Sequence, residues 1–471
     1  MVASECEPYA KTGGLADVVD ALSRALGRLG HEVDVYLPKY RGLEPPGPAE
    51  ELRLPVWEGI GHTANVRLLS AQANGYRLRL VDYPTFYDRP NYYMQDGADY
   101  PDNGARFALL GRTALEAMGV EKRPVDVLHG HDWEGAPALL LLRHRYWTEP
   151  VGAAAAVMTC HNLAYHGWVP RWQVAGQLDL PPWVGTEHGV SLLADGILNA
   201  DMVNTVSPGF ARESLVDGLG SGMEGVLRYV GDRYKGIING LDTELWDPAT
   251  DSALTANFSI GKLAGKVKCR AALCAETGLD PDGPILGMVS RLDPQKGFDL
   301  VAEAAPALVG NGARLCILGT GDPSLLWRLK ELAYRWPDRV AVLDRFDRAL
   351  SRRIYAGSDI FLMPSRFEPC GQSQMIAMRY GTPPVVRATG GLLDTVVDAD
   401  GSPDHGNGFM FGPAEAEDFY WACRRAMATM GDQSRWSAIQ RRGMSVDWKW
   451  DGPAQEYITL YRRAIAIHSG G

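Results

Sequence analysis

Apolar residues near the start of the chain recur at steps of three and four positions. They are Leu15, Val18, Val19, Leu22, Ala25, Leu26 and Leu29. This spacing places them on one face and predicts an amphipathic helix that ends at Gly30. In the following segment, HEVDVYLP, apolar Val33, Val35 and Leu37 alternate with polar residues. Because a period of two predicts a β-strand, the two segments form a helix-then-strand unit.

Short apolar runs that end in polar residues recur along the first half of the chain. VDVLHGH is followed by the helical segment GAPALLLLRHRYW and then by AAAAVMTCHN. Runs of this kind are typical of buried parallel strands. Polar residues at the carboxyl ends of such strands lie where open α/β sheets bind ligands.

The same pattern restarts in the second half after an irregular stretch. Periodicity stops after GIINGLDTELWDPATD, and PILGMVS, RLCILG, VAVLD, DIFLMPS and PPVVR are then successive candidate strands with helical stretches between most of them. We therefore predict an α/β protein with two doubly wound domains and a cleft between them. The expected domains are residues 1–247 and 248–450, and residues 451–471 are expected to form a terminal helix that docks on the first domain.

The composition is that of a globular protein. Of the 471 residues, 46% are hydrophobic and 22% are charged, which argues against a disordered or fibrous chain. The formal net charge of −10 repels polyphosphate backbones, so no nucleic-acid partner is expected. No segment resembles a signal peptide, and no apolar run approaches the roughly 18 residues of a membrane-spanning helix. We therefore expect a cytoplasmic protein without a membrane partner.

The first candidate binding motif is EPYAKTGGLADV, in which Lys11, Thr12, Gly13 and Gly14 precede the predicted first helix. Glycines at such a position let backbone N–H groups approach an anion, and the helix N-terminus adds partial positive charge. Lys11 adds a full positive charge. The alternative is an ordinary strand-to-helix turn with an exposed lysine.

The second motif is SRLDPQKGFD, which places Arg291 and Lys296 in one turn after the strand PILGMVS. Two cations in one turn can both face a diphosphate, and arginine can bind it through two hydrogen bonds. Asp293 is the only acidic neighbour that we expect to compete for them. The alternative is a solvated pair of cations.

The third motif is PSRFEPCGQSQ, in which Glu368 follows the apolar strand IFLM. A carboxylate there can accept hydrogen bonds from sugar hydroxyls or stabilise positive charge at a reacting carbon. Gly371, Gln372 and Ser373 open the next helix, whose N–H groups could hold phosphate. The alternative is a capped helix start with a surface glutamate.

Histidines in two further motifs raise the question of a metal site. HGHDW contributes His129, His131 and Asp132, and TCHNLAYHG contributes His161 and Asn162. These residues lack the i, i+4 spacing of helical metal ligands. The seven cysteines are far apart and include no CxxC pair, which argues against both a zinc site and a disulfide framework. We expect His129 in the core and the other side chains as sugar contacts, and zinc is the less favoured alternative.

Eight motifs follow one another as they do in the bacterial glycogen synthase and plant starch synthase family, which the chain resembles over nearly its whole length. They are KTGGLADV, HDW, HNLAYHG, TVSPGFARE, GIINGLDTELWDP, SRLDPQKGFDL, PSRFEPCGQSQ and TGGLLDTV. The resemblance implies two Rossmann-like domains facing a deep cleft, the GT-B architecture, with the donor bound chiefly by the C-terminal domain. It also implies transfer of glucose from ADP-glucose to the non-reducing 4-hydroxyl of an α-1,4-glucan such as glycogen or a maltooligosaccharide. No metal or cofactor is implied, because ADP-glucose is a co-substrate.

The resemblance also assigns roles to residues at matching positions. Arg291 and Lys296 resemble the pair that neutralises the diphosphate, and Lys11 resembles the lysine of the phosphate-binding turn. Glu368 resembles the catalytic carboxylate, and His161 resembles the residue that contacts glucose near its 6-hydroxyl. Since the family retains the anomeric configuration, the leaving phosphate is expected to take the acceptor proton, and no side-chain base is required.

Five more residues match family positions that contact the substrates. Asp132 and Asn239 resemble polar contacts in the cleft, and Asp17 and Cys370 match other active-site positions. Phe346 stands where the family often has a tyrosine against adenine, and it keeps the aromatic face while it lacks the hydroxyl.

Three alternatives share parts of these features. The nearest is a related transferase that uses UDP-glucose or a different acceptor, although the KTGGLADV and RFEPCG segments together favour the glucan synthases. A glucan phosphorylase would need a lysine that carries pyridoxal phosphate. A catalytically silent glucan-binding protein is disfavoured because every required polar side chain is present. The sequence makes no prediction of the oligomeric state.

Overall fold

A computed structural model describes residues 1–59 and 61–470 of the chain. Ile60, and Gly471 at the end of the predicted terminal segment, lie outside the described residues. The chain divides into two structural units, which are Met1–Gly240 together with the segment that starts at Trp450, and Leu241–Lys449. Both units contain parallel strands that alternate with helices, as the hydrophobic pattern predicts.

In its described part, the first unit is built on two four-stranded sheets and two small two-stranded ribbons. Its strands are β1 Asp34–Pro38, β2 Glu50–Gly59, β3 His62–Gln72, β4 Arg77–Asp82, β5 Met94–Gln95, β6 Ala98–Asp99, β7 Val127–His131, β8 Ala155–Cys160, β9 Trp168–Pro170, β10 Gly189–Ser191, β11 Met202–Thr205 and β12 Tyr234–Gly236. The sheet orders are β1-β4-β3-β2 and β12-β11-β8-β7. The second of these sheets is entirely parallel. Val2 pairs in parallel with both Tyr36 of β1 and Gly130 of β7, and so joins the two sheets.

Helices cover the sheets of the first unit. They are α1 Gly14–Arg28, α2 Pro84–Tyr87, α3 Asn103–Glu121, α4 Asp132–His144, α5 Arg171–Leu178, α6 Leu192–Asn199, α7 Pro208–Glu213 and α8 Glu224–Val230, with 3-10 turns at Pro150–Ala153 and Gly231–Arg233. The apolar face predicted for α1 is buried at Val18, Leu22 and Leu26. Leu29, which the spacing predicts on the same face, is exposed because the helix ends at Arg28, ahead of the predicted end at Gly30. The predicted strand after it is confirmed as β1.

The second unit contains a six-stranded sheet in which every neighbouring pair is parallel. Its strands are β13 Ile285–Val289, β14 Arg314–Leu318, β15 Val340–Leu343, β16 Ile360–Met363, β17 Pro384–Arg387 and β18 Phe409–Phe411. Its helices are α9 Ala264–Thr277, α10 Phe298–Gly310, α11 Pro323–Arg335, α12 Arg348–Gly357, α13 Ser373–Arg379, α14 Gly390–Thr395, α15 Ala416–Thr429 and α16 Gln433–Ser445, with a 3-10 turn at Pro294–Lys296. The order is β15-β14-β13-β16-β17-β18, so β13 and β16 are neighbours although they are distant in sequence.

The last helix, α17 Asp451–His468, belongs to the first unit. Its buried residues Tyr457 and Ile458 form one apolar cluster with Leu22 and Leu26 of α1 and with Val157 of β8. The clustered face explains why the segment has helical spacing. None of the helices within residues 1–59 and 61–470 combines the length and the apolar composition needed to cross a membrane.

The boundary between the units lies between Gly240 and Leu241, ahead of the predicted boundary at 247/248. The cause is Arg379 at the end of α13, whose guanidinium donates to the carbonyl oxygen of Thr243 at 3.0 Å and forms an ion pair with Asp247 at 3.4 Å. These contacts hold the connecting segment on the second unit. Every residue has a backbone carbonyl, so the sequence does not show which one Arg379 will bind.

Replacing Leu22 by alanine should lower the free energy of unfolding by about 2–5 kcal/mol, because the cavity would open between α1 and α17 in a buried cluster. Denaturant titration followed by circular dichroism measures the change. Leu29→Ala is the control, since Leu29 is exposed at the end of the same helix and should change stability by less than about 0.5 kcal/mol. Equal effects of the two substitutions would contradict the packing described here.

Candidate active site

Two loops of the second unit bring the predicted cationic and acidic residues together. The loop after β13 carries Arg291 and Lys296, and the loop after β16 carries Glu368. Because β13 and β16 are adjacent and parallel, both loops leave the same edge of the sheet. Gly297 has φ +71°, and an added Cβ would overlap the carbonyl oxygen of Pro364. Glycine is therefore required here, and it allows the two loops to touch.

Lys296 and Glu368 form a largely buried ion pair. The lysine Nζ donates to Oε2 of Glu368 at 2.7 Å, and Ser365 Oγ donates to the same oxygen at 3.0 Å. A buried carboxylate needs such partners. The expectation that only Asp293 would compete for the cations is wrong for Lys296, because its partner comes from the other loop. Asp293 instead caps the turn by accepting from the Gln295 N–H at 2.8 Å.

Further contacts fix the two loops against each other. The side-chain amide of Gln295 donates to the carbonyl oxygen of Phe367 at 3.0 Å, and the Arg366 N–H donates to the carbonyl oxygen of Gln295 at 2.7 Å. Arg366 also binds both carboxylate oxygens of Asp299, at 2.8 and 2.6 Å. Glu368 is thus held by a braced loop rather than by a flexible one.

Arg291 and one oxygen of Glu368 are available to a ligand. Arg291 is exposed, and no residue of the ranges 1–59 and 61–470 forms an ion pair or a hydrogen bond with its guanidinium. Oε1 of Glu368 likewise accepts no hydrogen bond from any described residue. A free cation and a free acceptor at one sheet edge suit a ligand that carries both phosphate and hydroxyl groups.

A polar cavity of about 60 Å³ lies beside the ion pair. Its polar and glycine lining consists of Ser290, Lys296, Ser365, Glu368, Gly371, Gln372 and Ser373. The predicted residues 371–373 therefore lie at the same site as Glu368. Cys370 is buried next to them, and its carbonyl oxygen accepts from the side-chain amide of Gln374 at 3.2 Å.

The glycine-rich turn of the first unit has an internal acceptor that the sequence did not reveal. The Glu5 carboxylate accepts from the backbone N–H groups of Thr12 at 2.5 Å and Gly13 at 3.2 Å, and from the Tyr93 hydroxyl at 2.6 Å. The amides of Thr12 and Gly13 are therefore already bonded. This corrects the expectation that the N–H groups of this turn await an anion.

The rest of that turn stays open. An added Cβ on Gly13 or Gly14 would meet no atom within 4 Å, so packing does not explain why glycine is present. Lys11 donates to Oδ1 of Asp17 at 2.5 Å and lies 3.4 Å from a carboxylate oxygen of Glu7. Its charge is thus partly balanced at the surface, next to an uncrowded backbone.

A second loop of the first unit groups Asp132, His161 and Asn162. Oδ1 of Asp132 accepts from the backbone N–H of His161 at 2.6 Å and of Asn162 at 3.3 Å. Asp132 has φ +52°, an unusual conformation for a non-glycine residue, at the start of α4. Nε2 of His161 lies 3.0 Å from Nδ1 of His131, so the two imidazoles share a hydrogen bond.

Burial keeps these imidazoles neutral. Desolvation lowers the pKa of His161 to about 3 and lowers the pKa of His131 well below its usual value. Burial also raises the pKa of Asp132 to about 7, against the opposing hydrogen bonds from the backbone of His161 and Asn162. His129 lies in the core, as expected, between the Tyr461 and Thr159 hydroxyls. Over the described part of the chain, no group of three or more His, Cys, Asp or Glu side chains is arranged as a metal site.

Two predicted residues lie outside these clusters. Asn239 is buried, and no described residue forms a hydrogen bond with its side-chain oxygen, Oδ1. A buried amide oxygen without a partner is costly, which makes it a candidate ligand contact. Phe346 is strongly exposed, and the guanidinium of Arg348 lies 5.9 Å from its ring centre. Its open face can stack on a planar group.

Comparison with known proteins identifies the family. Residues 1–229 match the family model described as starch synthase catalytic domain, and residues 270–442 match the one described as glycosyl transferases group 1. The chain is 42% identical to glycogen synthase 2 of Geobacter sulfurreducens, covering 100% of this chain and 99% of that protein. It is also 42% identical to glycogen synthase of Anaeromyxobacter dehalogenans, covering 98% of each. The chain belongs to the glycogen synthase family. It is therefore a glucosyltransferase.

Solved structures agree with this family assignment. The catalytic domain of starch synthase IV from Arabidopsis thaliana, bound to ADP and acarbose, has a TM-score of 0.91 and 32% identity, and the match covers 99% of this chain and 98% of that chain. Sucrose-phosphate synthase from Thermosynechococcus elongatus has a TM-score of 0.63 at 19% identity over 99% of this chain and 98% of that chain, which is a likeness of fold. The resemblance drawn from the motifs and the predicted pair of Rossmann-like α/β domains are confirmed.

Three contacts of the candidate site were not predicted from the sequence. Glu5 supports the glycine-rich turn, Ser365 supports Glu368, and His131 supports His161. Ser365 lies inside a recognised motif and Glu5 lies just before one. This closeness to a motif was the only signal in the sequence for either residue. His131 was recognised as a polar residue of its motif, but its pairing with His161 depends on the β7–β8 register.

Asp132→Asn should change how the stability of the protein depends on pH. Burial raises the pKa of Asp132 from 3.8 to about 7, so the folded state retains a proton that the unfolded state loses. The resulting stabilisation is present below about pH 4 and disappears as the pH rises towards 7, by about 1.4 kcal/mol for each pH unit at most. The asparagine keeps the acceptor oxygen but does not titrate.

Denaturant titrations at pH 4 to 8 measure this effect. Relative to Asp132→Asn, the wild-type protein should lose unfolding free energy over that range. Burial raises the pKa of Glu134 in both proteins, whereas the smaller contribution of the Asp132 charge to that shift is lost in Asp132→Asn and adds to the difference between the two curves. Parallel stability curves would contradict the buried, protonated state of Asp132.

Proposed function

We propose that this member of the glycogen synthase family transfers glucose from ADP-glucose to the non-reducing 4-hydroxyl end of an α-1,4-glucan, with retention of configuration and release of ADP. The observation that carries the proposal is the Lys296–Glu368 pair beside a polar cavity, at the same sheet edge as Arg291, whose guanidinium is unpaired among the described residues. ADP as the nucleotide is supported by the solved starch synthase IV complex, which contains ADP and acarbose. The glucan acceptor is supported by the relatives named glycogen synthase.

In this proposal the second unit stabilises the departing nucleotide. Arg291 and Lys296 face the diphosphate, whose negative charge grows as the bond to the glucosyl carbon breaks. Arginine can engage two phosphate oxygens through its planar guanidinium, whereas lysine supplies a point charge. Phe346 offers an exposed ring for stacking against adenine. Gly371, Gln372 and Ser373 complete the phosphate side of the same pocket, next to the buried Cys370.

Glu368 has a separate role towards the glucosyl group. Lys296 and Ser365 occupy Oε2, so Oε1 is the oxygen left to accept a sugar hydroxyl or to stabilise positive charge at the reacting carbon. Since the configuration is retained, the broken and new bonds lie on the same face of the sugar. The leaving phosphate then takes the proton of the acceptor hydroxyl, and no side-chain base is needed.

The first unit supplies mainly neutral contacts. His161 is a neutral imidazole near the proposed glucose 6-hydroxyl, and Asp132, Asn162 and Asn239 add oxygen and nitrogen groups. Lys11 is the exception, because it adds positive charge at the open glycine turn. Such neutral donors and acceptors can form hydrogen bonds with uncharged sugar hydroxyl groups.

The proposal includes no metal ion, no cofactor and no nucleic-acid or membrane partner. Positive charge for the leaving group comes from Arg291 and Lys296. A cytoplasmic location is supported by the seven cysteines, which are buried and form no disulfide with any described residue. Turnover that persists in the presence of a chelator would support the metal-free reaction, and activity that returns only on adding a divalent cation would overturn this part.

Nucleotide release tests the donor and the acceptor directly. The purified protein should release ADP from ADP-glucose in the presence of glycogen, and labelled glucose should appear in the polymer. A wide preference for UDP-glucose would overturn the proposed donor. Release of nucleotide without incorporation into glycogen would overturn the acceptor and favour the related transferases with other acceptors.

Substitution of Glu368 by glutamine should lower kcat by about a hundredfold or more, because it removes the negative charge beside the reacting carbon. The same assay with saturating substrates measures this. Near-full turnover of Glu368→Gln would remove the catalytic role of the carboxylate.

Arg291→Met should lower kcat/KM for ADP-glucose by about ten- to a hundredfold without loss of folding, since Arg291 is exposed and unpaired among the described residues. Initial rates at varied donor concentration measure this effect. Arg441→Met is the matched control, because Arg441 is an exposed arginine of α16 in the same unit. An equal loss in both variants would argue against a donor contact by Arg291.

A further inference from the structure

Exposed aromatic side chains are concentrated in one short segment of the first unit. Tyr165, Trp168, Trp172 and Trp183 are between 53% and 80% exposed. They are four of the ten strongly exposed Trp, Tyr and Phe side chains found in residues 1–59 and 61–470. We call these four residues the aromatic surface. Leaving large rings in water forgoes the stabilisation that burial would give, so their grouping indicates a binding surface.

The segment that carries these rings is internally braced. Strand β9 pairs antiparallel with β10, and α5 lies between them in the chain. Arg171 donates to the carbonyl oxygens of Val184 at 2.8 Å and Thr186 at 2.9 Å, which lie just beyond Trp183. The guanidinium therefore ties the loop of Trp183 to the first turn of α5, where Trp172 lies. The four rings are therefore carried by a segment whose conformation is fixed by these contacts.

The base of the segment is packed against the HDW motif of the candidate site. An added Cβ on Gly167 would overlap the ring of Trp133, which is next to Asp132 in α4. The carbonyl oxygen of Gly167 also accepts from the Leu192 N–H at 3.2 Å. The segment starts directly after His161 and Asn162, which Asp132 holds through their N–H groups. The aromatic surface is thus a continuation of the loop that carries His161.

The charged groups of Arg171, Arg145 and Arg112 near the rings are already bonded within the segment and its neighbours. The Arg171 guanidinium is used by backbone carbonyls, and Asp179 forms ion pairs with Arg145 and Arg112. A phosphate or acidic ligand would find no free cation among these groups. Flat apolar faces next to neutral polar groups suit pyranose rings, whose C–H faces are apolar and whose edges carry hydroxyls.

We propose that the aromatic surface binds a length of α-glucan chain that extends from the acceptor end held near His161. The rings stack on successive sugars of the polymer and keep it attached between transfers. The identity of the polymer rests on the proposed function, whereas the surface itself rests on exposure, bracing and its continuity with the His161 loop. Long acceptors should therefore gain affinity from this surface and short ones should not.

Acceptor kinetics test this with Trp172→Ala, Trp183→Ala and the double variant. Each single change should raise KM for glycogen by about three- to tenfold, with a larger effect in the double variant. KM for ADP-glucose and turnover with maltotriose should change by less than about twofold, because neither uses the aromatic surface. Trp421→Ala is the matched control, since Trp421 is an exposed tryptophan of α15 in the other unit.

Glycogen binding without turnover separates this inference from the proposed function. Retardation of the full-length protein in native gels that contain glycogen should decrease in the two tryptophan variants and persist in Trp421→Ala. That result supports the surface even if no nucleotide is released from any donor, which would overturn only the enzymatic proposal. Unchanged retardation and unchanged KM in the double variant would overturn the surface. Loss of self-association in light scattering, with glycogen binding intact, would also overturn it and assign the rings to contacts between copies.

The variant Trp172→Phe distinguishes the loss of an aromatic binding face from a loss of folding. A phenylalanine retains an aromatic face, so it should restore at least half of the glycogen retardation lost in Trp172→Ala. Thermal unfolding of all variants should stay close to that of the wild type because the replaced rings are exposed. A phenylalanine variant as weak as the alanine variant, with the same thermal stability, would argue against stacking.

Discussion

The ion pair between Lys296 and Glu368 is the interaction on which the candidate site depends. Glu368 is buried, and a carboxylate without partners there would cost several kcal/mol. Its partners, Lys296 and Ser365, come from two loops that follow different strands. The pair can form only because β13 and β16 are neighbours in the sheet and because Gly297 lets one loop lie against Pro364. The order of the strands, the turn at Gly297 and the position of Lys296 therefore all serve to give the buried Glu368 carboxylate a partner.

The two units offer different chemistry for different parts of the proposed substrates. The second unit presents charge, namely the guanidinium of Arg291, which no described residue pairs with, and the braced pair at Glu368. The first unit presents mostly neutral groups, because burial lowers the pKa of His161 to about 3 and raises that of Asp132 to about 7. Charge suits a diphosphate and neutral hydrogen-bonding groups suit a sugar. Burial, as much as residue type, sets this division.

The loop after β8 links the neutral groups to the aromatic surface. Asp132 holds its first residues by their backbone N–H groups, and Gly167 packs against Trp133 a few residues later. Arg171 then donates its hydrogen bonds to backbone carbonyl oxygens rather than to solvent or to a carboxylate. In both cases, hydrogen bonds to the backbone fix the segment and leave its aromatic side chains exposed to solvent. Because the protein segment is already ordered, the protein itself loses less conformational entropy when a polymer binds.

The sequence by itself determined the alternation of helices and strands around its motifs, the two α/β domains, the family and the positions of the motif residues, because periodicity and motif spacing are local properties. Tertiary structure alone decided which of those residues meet. The pairing of Lys296 with Glu368, the hydrogen bond from Tyr93 to Glu5 and the docking of residues 241–247 on Arg379 all join distant segments. Backbone amides and carbonyls are the same at every position, so a sequence carries no mark of the ones that a distant side chain will find. Folding supplies that information by fixing strand order and register.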